Sequence, residues 1–198
     1  MGCARELNFG SFNTRRNLPK NVGRKRGEGN FLAAFARAML RDRRAPCIYG
    51  RHFAMPGCGI ADLVVCNSAS DDPIRQQESN RLSIVAFETK LSDWRRAIQQ
   101  AYRYRYYADQ SFVVLPQGRE ARAVENRRRF RQLGIGLCVY DPDRKSITIP
   151  CRPHASRALN PRKRELALDR IRTRALYYLR KANEDIQPLF ESRKMIRV

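Results

Sequence analysis

Residues 82–90 read Leu82-Ser83-Ile84-Val85-Ala86-Phe87-Glu88-Thr89-Lys90. Leu82, Ile84 and Ala86 alternate with Ser83, Val85 and Phe87, which predicts a strand. Alternation puts Glu88 and Lys90 on the face that Ile84 and Ala86 share, about 6.5–7 Å apart along the chain. An acid and a base thus stand at the end of a face otherwise suited to a core. Burying either alone costs several kcal/mol unless it is paired or bound to a metal.

The flanking runs supply partners for this strand. Ile60 to Cys66 is a compact apolar run broken by one acid, Asp62, and is expected to pair with residues 82–90. Cys47 to Phe53 is a third strand, ending before Met55-Pro56-Gly57. Upstream, Phe31, Leu32, Phe35, Met39 and Leu40 recur at helical spacing, with Asn30 as the expected N-cap and Pro46 as the stop. Asn67 to Arg81 is polar and reads as a long loop. Downstream, Ser92-Asp93 caps a helix running to about Ala108, whose buried stripe is Trp94, Ala97, Ile98, Ala101, Tyr104 and Ala108. Ser111 to Leu115 is a strand, Glu120 to Leu133 a basic helix closed by Gly134, and Ile135 to Tyr140 and Ser146 to Ile149 the last two strands. Tight turns favour antiparallel pairing among the early strands, and the helix after Lys90 favours a parallel crossover. The fold class is therefore α/β, a mixed central sheet flanked by helices on both faces.

Two basic extensions frame this core. Residues 1–27 show no apolar period and read as a flexible arm, either solvated or tracking a phosphate backbone. Residues 151–198 read as a linker followed by a basic amphipathic helix from Arg162 to about Asn183. That helix could pack on the core, form a dimer contact or grip a backbone.

Charge narrows the partner. The 198 residues include 40 Lys and Arg against 19 Asp and Glu, a net +21. Most of the cations are Arg, whose planar fork matches phosphate oxygens bidentately. A polyanion relieves such self-repulsion, and nucleic acid is the first candidate, ahead of an anionic membrane surface or an acidic protein. The six cysteines have no CxxC spacing, which argues against a zinc finger. No apolar run approaches membrane-span length, and no secretory leader is evident, so a cytoplasmic protein with reduced thiols is expected.

Asp62 and Glu88 on adjacent strands, with the Thr89 carbonyl nearby, make a hard-oxygen set suited to Mg²⁺ or Mn²⁺. A metal lowers the pKa of its bound water and clamps a phosphate, and Lys90 beside it could orient or deprotonate that water. A strand acid followed by Glu-x-Lys, inside helix, three strands, helix, strand, resembles the PD-(D/E)XK nuclease superfamily. Ala61 stands where the nominal motif has proline. Gly59-Ile60-Ala61-Asp62 is similar to the G-x-x-D form of the RecB-like branch, and Gln100-Ala101-Tyr102-Arg103-Tyr104 to its Q-x-x-x-Y element.

The resemblance spans about residues 28–150 and implies a restriction-endonuclease-like core (αβββαβ) with a C-terminal helical extension. It implies a metal-dependent nuclease, with DNA the first substrate and a homodimer possible. Asp62, Glu88, Lys90 and Gln100 would be catalytic. Asp62, Glu88 and Thr89 would hold the metal, with Glu28, which precedes the expected cap, as a further ligand. The resemblance would also have Tyr104 pack or hydrogen-bond beside Gln100, and from the charge Tyr104, Arg103, Arg127, Arg128 and Arg131 are expected to contact nucleic acid. The alternative is a binding module on the same fold without catalysis. Blander readings also stand: Glu88 and Lys90 as a surface pair, Asp62 as a turn acid, Gln100 and the arginine run as solvated residues. His52 and His154 read as structural or exposed.

Overall fold

A computed structural model describes residues 7–11, 26–41, 47–68, 82–154 and 157–182, with side chains for 27–41, 47–67, 82–154 and 157–176. In chain order the elements are β1 (Leu7–Ser11), α1 (Arg26–Arg41), β2 (Cys47–Met55), β3 (Gly59–Ser68), β4 (Leu82–Thr89), α2 (Trp94–Tyr104), β5 (Gln110–Pro116), α3 (Ala121–Glu125), α4 (Arg127–Leu133), β6 (Gly136–Asp141), β7 (Ser146–Cys151) and α5 (Pro161–Ala182). The seven strands form one sheet in sequence order. β2, β3 and β4 are antiparallel neighbours. β4, β5 and β6 run parallel, as the helical crossovers require. β7 turns back antiparallel on β6.

The alternation in β4 sorts the core into two layers. Val85 and Phe87 join Leu63, Val65, Val114 and Tyr140 beneath Phe31 and Phe35 of α1. Ile84 and Ala86 face the opposite way, toward Tyr104 and Tyr107 at the end of α2 and Leu168 and Ile171 of α5. Farther along that second face, Trp94 and Ile98 of α2 meet Val113, Leu115 and Phe130. The mixed α/β sandwich expected from the sequence is thus the architecture observed.

Several expectations are corrected. β1 lies within the segment read as a flexible arm and pairs parallel with β2. Its Leu7 and Phe9 do alternate, in a segment too short and too turn-rich to read as a strand. α1 starts at Arg26, one turn before the Asn30 cap. α2 stops at Tyr104 and the chain turns through Tyr107. The helix from Glu120 to Leu133 is broken at Asn126 into α3 and α4. Gly134 ends α4 in the left-handed region (φ 64°), as expected of a C-terminal glycine. The loop expected at 67–81 lies mostly outside the described residues.

The region read as linker and helix is continuous with the core. Asn160 caps α5 through its Oδ1, which accepts from Lys163 N at 3.0 Å. Ala167, Leu168, Ile171 and Ala175 are buried. Arg164 donates to both carboxylate oxygens of Asp109, at 2.7 and 3.0 Å, and to Leu82 O at 2.6 Å. Asp109 in turn accepts from Ile84 N at 2.9 Å, so the ion pair ties α5 to the start of β4. Arg164→Ala would strand a largely buried carboxylate and is expected to lower stability by about 2–3 kcal/mol. A urea midpoint unchanged from the parent would show that α5 is not anchored there.

Candidate active site

Two strands change phase at one rung. Arg51↔Leu63 and Phe53↔Ala61 are paired, which sets His52 opposite Asp62. Before this rung Ile48, Val64 and Cys66 face α2 and α5, while Tyr49, Leu63 and Val65 face α1. Beyond it Phe53, Met55 and Ala61 also lie on the α2 and α5 side. Strict alternation would have put them with Tyr49 and Leu63. His52 carries the change in a left-handed conformation (φ 56°), which is uncommon for a residue with a Cβ. Because both strands shift together, the register survives.

The rung also ends the pairing of β3 with β4. The last described pair toward this end is Leu63↔Phe87. Beyond it the Asp62 carboxylate replaces the ladder: its Oδ2 accepts from Thr89 N and from Thr89 Oγ1, each at 2.8 Å. Tyr104 of α2 enters the fork between the strands, its Oη 2.6 Å from Ile60 O and 2.5 Å from Glu88 Oε2.

The Tyr104 hydroxyl has one hydrogen and two acceptors within reach, Ile60 O and Glu88 Oε2. Burial, then the Asp62 charge, raise the Glu88 pKa to about 7, against the opposing pulls of Lys90 and of the Tyr104 hydrogen bond. Glu88 is 1% exposed. Lys90 Nζ donates to Glu88 Oε1 at 2.7 Å and to Thr89 O at 3.1 Å. Burial pulls its pKa down, but the Glu88 charge and hydrogen bond, together with Asp62 and Glu28, raise it overall.

Around this floor lies a cleft of about 280 Å³. Glu28 and Leu32 of α1 form one wall, and Arg96 and Gln100 of α2 another. His52 and Asp62 come from within β2 and β3, Thr89 from the end of β4 and Lys90 just after it, and Ser92 and Asp93 from the turn into α2. Five residues singled out from the sequence, Glu28, Asp62, Thr89, Lys90 and Gln100, therefore share one cavity, with Glu88 just beneath it. Glu28 arrives because α1 begins before Asn30, leaving Glu28 in its first turn, where an acid also suits the helix dipole.

The donors fit a divalent cation in kind. Two carboxylates and the Thr89 carbonyl are hard oxygens, and Gln100 Oε1 is a buried acceptor with no hydrogen-bond partner. The repulsion that raises Glu88 is the kind that a cation removes. The Lys90 ammonium rests on Glu88 Oε1 and Thr89 O, two oxygens of the expected metal set. Among the described residues, no three His, Cys, Asp or Glu side chains are gathered closely enough to hold a metal by themselves. A hard-oxygen shell here would need the carbonyl and amide oxygens as well.

The residues expected to meet nucleic acid divide. Arg103 on α2 and Arg127, Arg128 and Arg131 on α4 are exposed. Tyr104 is not available: at 1% exposure it is a core residue that positions Glu88. Sequence reasoning passed over His52 as structural. The signal was available in the tight Pro56-Gly57 turn, whose register sets His52 opposite Asp62. Burial lowers its pKa, against the raising effect of Asp62, which favours neutral imidazole. His154 is exposed and does not line the cleft.

No protein-family model matches the chain, and no curated protein matches it. Among the described residues no helix is long and apolar enough to cross a membrane. The described cysteines, Cys47, Cys58, Cys66, Cys138 and Cys151, are all free and buried.

The Glu88 shift predicts a pH signature. Its folded pKa of about 7 lies above the ordinary value of 4.5. The folded chain therefore holds a proton that the unfolded chain releases, and stability falls as pH rises from about 4.5 to about 7. The loss is about 3 kcal/mol at about 1.4 kcal/mol per decade. Glu88→Gln cannot ionise and is expected to gain on the parent by that order between pH 5 and pH 8, read as the difference in urea midpoints. A constant difference across that range would mean that Glu88 is ionised throughout.

Proposed function

We propose that this chain is a divalent-metal-dependent nuclease that hydrolyses phosphodiester bonds in nucleic acid, with DNA the first substrate. The observation that carries the reading is the Lys90 ammonium held on Glu88 Oε1 and Thr89 O, at the floor of a cleft that Asp62, Glu28 and Gln100 also line. A buried acid, Glu88, gathered with Asp62, Glu28 and a lysine at one open cavity has no evident use in stability, since burying such a charge costs stability.

Asp62, Glu88 and the Thr89 carbonyl would hold Mg²⁺ or Mn²⁺, which supplies an activated water and neutralises charge on the phosphoryl oxygens. The chain's own groups do the rest. Tyr104 and Lys90 hold the Glu88 carboxyl from opposite ends and fix its direction. Asp62 is fixed by two donors from Thr89. Lys90 keeps its proton in the resting site and can donate to a phosphoryl oxygen entering the cleft. Arg96 on the wall adds positive charge where the phosphate must enter. Gln100 Oε1 is left to accept from a water or a substrate donor.

The test is incubation of labelled linear, circular and single-stranded DNA with Mg²⁺, Mn²⁺ or EDTA. Cleavage is expected with metal and not with EDTA. Glu88→Gln and Lys90→Ala are each expected to lower the rate by at least about 10²-fold. Cleavage surviving both changes would end the reading. Tight binding without turnover under either metal would favour a non-catalytic module on the same fold. Tyr104→Phe removes only the hydroxyl that orients Glu88, and is expected to weaken cleavage by less than either of those changes.

A further inference from the structure

Between Arg119 and Arg131 the chain carries six arginines: Arg119, Arg122, Arg127, Arg128, Arg129 and Arg131. All six are exposed. Glu120 and Glu125 are the acids within the same stretch. Among the described residues none of the six guanidiniums pairs with a carboxylate. Arg127 and Arg131 stand one helical turn apart, as do Arg128 and Arg131, so like charges face each other along α4. Local stability does not account for such a cluster, whereas a polyanionic partner does.

α4 is fastened to α2 at two points. Phe130 stacks on Trp94 with ring centroids 6.0 Å apart. Arg105, just past α2, donates from Nη1 to Leu133 O at 2.9 Å, capping the last turn of α4. Gly134 lets the guanidinium lie this close, since a Cβ there would stand 2.2 Å from Arg105 Nη1. α2 is also the helix that carries Arg96 and Gln100 into the cleft. Arg95, exposed and 5.0 Å from the Trp94 ring, lies on the same first turn as Arg96.

The surface lacks one property. Within residues 119–133 Ala123 and Phe130 are buried, Val124 and Leu133 are partly buried, and no aromatic ring is exposed. Guanidiniums without rings contact phosphates but offer no platform for unstacked bases. A duplex, with its bases stacked inside, needs no such platform.

We infer that the α3–α4 face, with Arg95 and Arg96, grips the phosphate backbone of double-stranded nucleic acid, and that α2 holds this grip in fixed relation to the cleft. The inference rests on the nuclease reading of that cleft. Its test is equilibrium binding of a fluorescent duplex in EDTA, so that cleavage does not intervene, with salt varied from about 50 to about 200 mM. Replacing Arg127, Arg128 and Arg131 together by Ala is expected to reduce the slope of log K against log salt by about 3, at roughly 0.9 per phosphate contact. Arg128→Gln alone is expected to reduce it by about 1, which guards against a folding defect in the triple variant. A parent-like slope and affinity in both variants would overturn the grip, as would tighter binding by the parent to single strands than to duplex. The expected slope changes in a protein that never cleaves would uphold the grip and count against the nuclease reading alone.

Discussion

The Glu88 carboxyl is the contact on which the site is arranged. One oxygen meets the Tyr104 hydroxyl and the other the Lys90 ammonium, and the group is almost wholly buried. Each partner belongs to a different part of the fold. Tyr104 ends α2 and also meets Ile60 of β3, and Lys90 follows β4 and reaches the Thr89 carbonyl. A buried carboxyl is tolerated only when both oxygens are occupied and its charge is countered or its proton retained. Helix α2, the fork in β3 and the end of β4 are therefore placed by one requirement.

The fork itself has a backbone origin. His52 is held in the left-handed region in the middle of a paired strand. Strained residues of this kind persist where surrounding packing over-determines them, and they gather at functional sites. Here the strain changes which residues of β2 and β3 face α2 and turns Asp62 onto Thr89. A regular β3 would have continued its ladder past Leu63 and left no space for Tyr104. The same rung marks the end of the β3–β4 pairing, while β2 and β3 stay paired as far as Met55 and Gly59. Asp62 lies on the cleft wall, and Glu88 lies beneath it, where burial and then the Asp62 charge raise its pKa.

Positive charge is used differently on different helices. On α5, Arg164 is consumed in holding the core together through Asp109. On α3 and α4 the arginines point outward without carboxylate partners among the described residues. The two helices answer differently to the same composition because α5 has an apolar stripe long enough to bury, whereas α4 has seven residues and one buried anchor, Phe130. Composition alone could not separate a packing helix from a presenting one.

The sequence by itself determined the strand periods, the turn that pairs β2 with β3, the acid within β3, and the acid and lysine at the end of β4. These follow from alternation and spacing, which are local. It also placed Gln100 and Tyr104 on one helix face, since they stand four residues apart. Glu28 was obscured by Gly27 and Gly29, which weaken a helix locally, and by Asn30, which resembles a cap. α1 extends through them because its apolar face is already docked on the sheet. Helical spacing put Tyr104 on the buried stripe of α2, where it lies, while Arg103 turns out; its expected contact with nucleic acid is what burial removes. His52, the fork, the raised pKa of Glu88 and the role of α5 were decided only by tertiary structure. Each depends on groups distant in the chain meeting in a low-dielectric interior, where one hydrogen bond or one charge outweighs local propensity.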